Sequence, residues 1–569
     1  MIERNTMGKK PFAPRITLAL ALNCFLGATV FSAVSAETSP TSPFQLTDVT
    51  NQTGIDFVHT DGSSGRRYIV ESVASGLALF DYDRDGDIDI YFLNGSALPG
   101  TEPNVHPTNR LYRNEGRWRF TDVTAVSGVG DTGYGLGVCT GDFDNDGHTD
   151  LFINNFGANR LYRNQGDGTF DDVTAKAGVG GGNHVGSGAC FLDIENDGDL
   201  DLFIGRYVDF TFETHKTSTM NGYPSYVGPL NYPPISNLLY RNNGDGTFTD
   251  ISEASGIAQH KASGMGAICA DYDNDGDTDI FVGNDLAANF LFENDGKGYF
   301  QEVALLRGLA YDSLGTVHGT MAVECFDWNH DGLLDFYTTS YQRQLTTLYQ
   351  NSSSGYFDDV TRKSGAGEST YPQVTWGAGV IDLDNDADRD LFIACGHLID
   401  NVEKFDDTTS YKALNLVLEN NGQGQYLDRS QQSGNGMLAK ASSRGAAFDD
   451  LDNDGDLDVV ILNAREAPTL LRNDSPHKHH WIQIQLQGTE SNRSGIGARV
   501  QVVNKSRTLT EEVRSGRSYQ SDFGRRLHFG LGSNPDISQV TVRWPHGAVD
   551  VVKNPKSNQV LTIVEGKPR

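Results

Sequence analysis

The sequence predicts an all-β fold, a seven-bladed β-propeller with a calcium-binding loop in each blade, followed by a small β-sandwich. Three observations lead there. A nine-residue acidic pattern recurs seven times, every copy lies between two short apolar stretches, and a second hairpin motif follows in each unit. Helical solenoids would need apolar residues at helical spacing, and these units have none.

The first copy, "DYDRDGDID" from Asp81 to Asp89, places five carboxylates in nine residues around one glycine. Like charges this close repel unless a cation sits among them, and alternate positions let their oxygens converge on one point. The other copies are "DFDNDGHTD" at Asp142, "DIENDGDLD" at Asp193, "DYDNDGDTD" at Asp271, "DWNHDGLLD" at Asp327, "DLDNDADRD" at Asp382 and "DLDNDGDLD" at Asp450. Positions one, three, five and nine are the candidate ligands. In loop one these are Asp81, Asp83, Asp85 and Asp89, and in loop two Asp142, Asp144, Asp146 and Asp150. Loop three offers Asp193, Glu195, Asp197 and Asp201, and loop four Asp271, Asp273, Asp275 and Asp279. Loop five offers Asp327, Asn329, Asp331 and Asp335, loop six Asp382, Asp384, Asp386 and Asp390, and loop seven Asp450, Asp452, Asp454 and Asp458. Oxygen-only donors in this number suit Ca²⁺, which accepts six to eight of them. An EF-hand would need a glutamate at position twelve and flanking helices, and here the last carboxylate comes at nine between strands.

The copies differ, and the differences predict an order of affinity. Asn329 removes one charge from loop five. Ala387 replaces the turn glycine of loop six, where a positive φ costs a non-glycine residue about 1 kcal/mol, so a distorted site is expected there. Glu195 in loop three adds a methylene but keeps the charge. Because the loops recur in every unit, the ions are expected to be structural, whereas an active site occurs once.

Consecutive copies start 61, 51, 78, 56, 55 and 68 residues apart, a long irregular period that suits a multi-stranded unit with variable loops. In "GLGVCTGDFDNDGHTDLFINN" the acidic loop joins two apolar strands, and "NRLYRNQGDGTFDDVT" from Asn159 reads as a second hairpin. That makes four strands per unit. The stretch "FQLTDVT" from Phe44 is a last-strand element with no partner before it, and the seventh unit stops at "TLLRN", Thr469 to Asn473, without a last strand. The two orphans are expected to pair and close the ring, leaving no open sheet edge.

These repeats, from about Phe44 to Asn473, resemble the FG-GAP and VCBS repeats of integrin α-chain propellers. The tail segments "HWIQIQLQGTESNRSGIGARVQV", "EEVRSGRSYQSDFGRRLHFGLG" and "VTVRWPHG" strongly resemble the ASPIC/UnbV domain that follows such repeats in the cartilage acidic protein family. Alternation at Ile482, Ile484 and Leu486, and again at Val540, Val542 and Trp544, reads as strands of a sandwich. The expected organisation is a secretory signal over residues 1–36, a propeller over 37–475 and a sandwich over 476–569.

The signal reading rests on Arg4, Lys9, Lys10 and Arg15, the apolar run "ITLALALNCFLGATVF", and small residues Val34 and Ala36 before a cut. The run is shorter than the roughly 20 residues a membrane span needs. With no later apolar span, the expected location is secreted, periplasmic or cell-surface, as a monomer. Cys139, Cys190, Cys269, Cys325 and Cys395 remain after the cut, and four of them sit in an apolar strand just before an acidic loop, so buried free thiols are expected. With 75 acidic against 45 basic residues and a net charge of −30, nucleic acid is excluded as a natural partner.

Two classes of function stay open. The resemblance implies a secreted recognition or adhesion module that binds a protein or glycan through long loops on the face opposite the acidic ones, among them the segment from Arg206 to Asn237 with Tyr207, Tyr223, Tyr226 and Tyr232. The alternative is a hydrolase or lyase at the channel mouth. His184 and His318 lie nine residues before their loops and Trp376 and Arg444 six before theirs, which puts all four at that mouth. They either hold a ligand there or simply fill it. No nucleophile motif, phosphate loop or zinc spacing is present.

Overall fold

The computed structural model describes residues 42–101, 106–476, 478–505 and 507–567. The expected signal, residues 1–36, lies outside the described residues. Seven four-stranded antiparallel sheets follow one another along the chain, and their first strands are neighbours in a closed cycle. Unit one is Leu77–Phe80, Asp89–Phe92, Arg110–Asn114 and Phe120–Asp122. The sheets of units two and three are additionally joined where His184 and Val185 pair with Gly157 and Phe156. Every acidic loop connects the first and second strand of its unit, as the repeat pattern predicts.

The ring closes through the orphan strand. Leu46–Asp48 pairs antiparallel with Thr469–Asn473 and supplies the outer strand of unit seven. The motif "TDVT" shows why this segment belongs there. In unit one Thr124 Oγ1 accepts the N–H of Leu111, and Asp122 accepts the N–H of Thr124. In unit seven Thr50 does the same for Leu470, and Asp48 for Thr50. One local device therefore stitches the third strand to the turn after the fourth, across 420 residues of chain in the seventh case.

Glycines recur in the first strands because these strands crowd near the axis. A Cβ on Gly137 would lie 2.0 Å from the carbonyl oxygen of Ser187 on the next first strand. The five cysteines are all buried and free, four of them on or beside these crowded strands.

The C-terminal part forms two sheets. One is three-stranded, with His480–Gln487 between Leu527–Gly532 and Val560–Val564, and the other is four-stranded, built on Arg499–Asn504 and Ile537–Arg543. They do not stand apart from the ring. Their inner residues Ile482, Ile484, Val500 and Trp544 share one apolar core with Phe143, Phe191 and Leu200 of the propeller.

Between the strands Arg507–Glu512 and Leu527–Gly532 the chain runs through the middle of the ring. Asp522 pairs with the first strand of unit one, its N–H donating to Leu77 and its carbonyl accepting from Leu79. Ser518 exchanges backbone hydrogen bonds with Val323 of unit five, and its hydroxyl accepts from the N–H of Ala378 in unit six. Gly516, at φ 74°, passes so close to Ala189 of unit three that a Cβ would lie 1.8 Å from its carbonyl oxygen. Arg517 forms an ion pair with the fully buried Glu324. Tyr519, 0% exposed, donates its hydroxyl to the carbonyl of Val73 and packs edge-on against Trp376 at 5.0 Å. The segment from Ser515 to Phe523 is a plug, and the channel is filled.

Candidate metal centres

Each acidic loop is first a backbone device. The position-one carboxylate accepts the N–H of position six, as Asp142 does for Gly147 at 2.7 Å, and in six of the loops also that of position five. The position-nine carboxylate accepts the N–H of position two and that of the asparagine ending the third strand, as Asp150 does for Phe143 and Asn164. Position six needs a left-handed backbone, and the glycines there hold φ between 84° and 103°. Ala387 adopts φ 80° in the same place. Loop six therefore keeps the shared turn instead of distorting it.

The asparagines of "YRN" were not singled out by the sequence reading, although their recurrence was visible. In six of the units the amide of the asparagine ending the third strand also reaches back one unit. Asn114 donates to Leu451, Asn164 to Tyr82, Asn242 to Phe143, Asn294 to Ile194, Asn351 to Tyr272 and Asn473 to Leu383, always at position two of the preceding loop. Asn145, Asn196, Asn385 and Asn453 at position four reach forward to the next loop. The loops are thus linked around the ring.

In five loops the carboxylate oxygens converge within 4.8 Å of one another: Asp81, Asp83 and Asp85; Asp142, Asp144 and Asp146; Asp271, Asp273 and Asp279; Asp382, Asp384 and Asp390; Asp450, Asp452 and Asp458. Buried oxygens of Asp83, Asp144, Asp271 and Asp452 have no hydrogen-bond donor among the described residues. Leaving such an oxygen unpaired is costly, and a cation among them removes the cost. Burial, reinforced by the neighbouring carboxylates, pushes Asp81, Asp142 and Asp450 up to about 6, and Asp454 to about 7. Asp89, Asp150, Asp201, Asp279, Asp335 and Asp458 are held well above the usual carboxylate range for the same first reason. The all-oxygen donor sets fit a hard cation.

Two loops depart from the pattern. Glu195 turns to Arg241 at 3.0 Å, so the longer side chain of loop three is drawn away from Asp193, Asp197 and Asp201. In loop five the amide of Asn329 donates to Asp331 at 2.8 Å. In loop two Arg163 also lies against Asp144 and Asp146.

The C-terminal sheets dock on this same face. Arg543 pairs with Asp271 and Arg499 donates to its carbonyl. Gln483 donates to Asp450, Arg526 pairs with Asp449 at 3.0 Å, and Ser494 accepts the N–H of Asp142.

The opposite face corrects the expected channel mouth. Trp376 and Arg444 are each 1% exposed, with the guanidinium 4.1 Å over the indole ring. They form the wall around Tyr519. His184 is half-buried, its pKa lowered by burial and by Arg206, and His318 sits 3.2 Å from Asp312. Three of the four tyrosines are also structural. Tyr207 donates to Asp285, Tyr226 to Glu71, and Tyr232 packs on Phe210, all buried, because the 206–237 segment folds back over the end of the channel with the helix Ile69–Val73. Only Tyr223 of that set is exposed.

Fold and loops together define a β-propeller protein with carboxylate loops on one face and a β-sandwich docked on that face, plugging the ring. Residues 81–153, 142–204, 231–282 and 271–338 match the FG-GAP-like repeat, and 488–569 match the ASPIC and UnbV domain. The chain is similar to cartilage acidic protein 1 of Mus musculus, 23% identical over 86% of this chain and 73% of that protein, and of Xenopus tropicalis, 23% identical over 86% and 64%. Among solved structures, rhamnogalacturonan lyase YesW aligns over 76% of this chain and 75% of its own at 12% identity and a TM-score of 0.37. Among the described residues no helix is long and apolar enough to cross a membrane.

Proposed function

We propose that this is a secreted recognition or adhesion protein whose ring is stabilised by Ca²⁺ in its acidic loops, and which binds an extracellular protein or glycan through the loops on the opposite face. The observation that carries the calcium reading is the set of buried carboxylate oxygens of Asp83, Asp144, Asp271 and Asp452 that lack a donor while their neighbours converge on them. Calcium tolerates irregular all-oxygen shells, whereas Mg²⁺ demands near-ideal octahedra. Loops one, two, four, six and seven would hold it, each ion neutralising repulsion within one loop. The relatives' name sets them in cartilage, which supports an extracellular role, and a signal over residues 1–36 belongs to the same proposal.

On the opposite face the hairpin Ser218–Met220 and Tyr223–Ser225 carries exposed apolar groups. Met220 is 47% exposed, Tyr223 41% and the nearby Leu230 74%. Exposed aromatic and sulfur-bearing side chains grouped on a rigid scaffold suit partner binding. The test is a protein and glycan array probed with the parent and with Met220→Ser, Tyr223→Ser and Leu230→Ser combined. Signals are expected to fall at least tenfold at an unchanged melting midpoint. Equal binding by both proteins would place the recognition surface elsewhere.

A further inference from the structure

A cavity of about 600 Å³ lies between loops one, two and seven and the docked C-terminal sheets. It lies away from the hairpin face and beside the carboxylate clusters, with Asp81, Asp85, Asp142 and Asp449 in its lining. The lining is mixed in charge, with arginines from loop one and from the C-terminal part beside these carboxylates. Arg84, Arg493, Arg525 and Arg526 all line the cavity, in a protein of net charge −30.

Four guanidinium groups stand beside one cavity, and protein partners account for only part of their donors. Arg526 pairs with Asp449 at 3.0 Å and donates to Asn453 at 2.7 Å and to the carbonyl of Asp450 at 2.6 Å, Arg525 pairs with Asp522 at 3.1 Å and donates to Thr140, and Arg493 donates to the carbonyl of Gly488 at 3.3 Å. The buried Nε of Arg493, Nε and Nη1 of Arg525 and Nε of Arg526 have no acceptor among the described residues. Arg526 itself is only 9% exposed. Arg84 is exposed, and among the described residues its guanidinium makes no hydrogen bond or ion pair. The exposed guanidinium of Arg84, with Arg493, Arg525 and Arg526 lining the same cleft, offers forked donors that match the oxygens of a carboxylate, sulfate or phosphate. Beyond them the wall is uncharged and polar, with Gln485, Gln487 and Thr562 on the two neighbouring strands His480–Gln487 and Val560–Val564. Amides and a hydroxyl in a row suit the hydroxyls of a sugar, and the volume suits a unit of one or two rings.

We propose that this cleft binds an acidic saccharide unit, its carboxylate or sulfate held by Arg84, Arg493, Arg525 and Arg526 and its hydroxyls by Gln485, Gln487 and Thr562. The site is made by both parts of the chain, so it exists only when the sandwich is docked on the ring.

Titration calorimetry on the full mature chain in calcium buffer tests it with four probes: digalacturonate, lactose sulfate, neutral lactose and triglutamate. At least one acidic sugar is expected to bind, lactose is not, and the arm that binds separates carboxylate from sulfate recognition. In Arg84→Asn combined with Arg493→Gln the affinity should fall at least tenfold at an unchanged melting midpoint. Should that variant not fold, Thr562→Glu, on an exposed strand position, puts a negative charge into the cleft and is expected to abolish binding. Absence of binding by both acidic sugars would mean that the cleft holds only water and counter-ions. Tighter binding of triglutamate than of either sugar would overturn the saccharide class, and an unchanged affinity in the variants would overturn the location. Because none of these residues is on the hairpin face, either outcome leaves the array result independent.

Discussion

Replacing Tyr519 by alanine should loosen the whole ring from a position contributed by the C-terminal domain. Tyr519 is 0% exposed, its hydroxyl donates to Val73 at 3.0 Å, and its ring packs edge-on against Trp376. Truncating a buried aromatic costs about 3–5 kcal/mol, and a buried carbonyl that loses its donor adds about 1–3 kcal/mol. Trp376, on which Arg444 is stacked, loses packing as well. We take about 5 kcal/mol as the total. With an unfolding entropy of about 2.1 cal/mol/K per residue over a unit from Ser42 to Arg569, 1 kcal/mol corresponds to about 1 °C, so the midpoint should drop by roughly 5 °C. Differential scanning calorimetry is the assay, and the transition should remain single, since ring and sandwich share one core. A midpoint within 1 °C of the parent, or a sandwich transition that moves alone, would refute the plug as a structural tie.

Asn294→Ala removes two buried amide donations, one to Thr278 and one across units to Ile194, and should cost about 2–3 kcal/mol in urea unfolding. Ala387→Gly relieves a φ of 80° and should raise stability by about 0.5–1 kcal/mol, measurable as a higher urea midpoint. Deleting residues 42–50 exposes the edge of Thr469–Asn473 and should cause aggregation in light scattering, or a clearly lowered melting point.

The ring was legible in the sequence because its parts are local. A nine-residue loop, two flanking strands and a short hairpin motif repeat with their turn glycines in place, and "TDVT" after Phe44 reveals the closing strand by its likeness to the other six. The plug was not legible. "SGRSYQSDF" has no alternation and no apolar run, because its hydrogen bonds and charges are satisfied by first strands hundreds of residues away, such as Glu324 for Arg517 and Val323 for Ser518. For the same reason Trp376 and Arg444 read as mouth residues while the structure buries them. Tyr207, Tyr226 and Tyr232 misled in another way, since a tyrosine in a long loop serves as well to pin that loop as to meet a partner. Five of the acidic loops bring three carboxylates together, whereas the diversion of Glu195 in loop three depends on Arg241, two strands away in the same sheet.

The most direct test of the account is the melting midpoint measured from pH 4.5 to 7.5, with excess calcium and with chelator. Asp142 and Asp450 are raised from the ordinary carboxylate range to about 6, chiefly by burial. Without a cation, such a group is protonated in the folded chain while it is already ionised in the unfolded one between about pH 4 and 6. The folded state therefore loses stability as pH rises through that window, on the order of 3 kcal/mol for a single group with a shift near two units. A bound cation reverses the preference, because it favours the ionised carboxylates in the folded state, and adds stability by mass action. The account predicts a midpoint that falls with rising pH in chelator, holds or rises in calcium, and separates most widely at pH 7.5. Two curves that superpose across the whole range would contradict it.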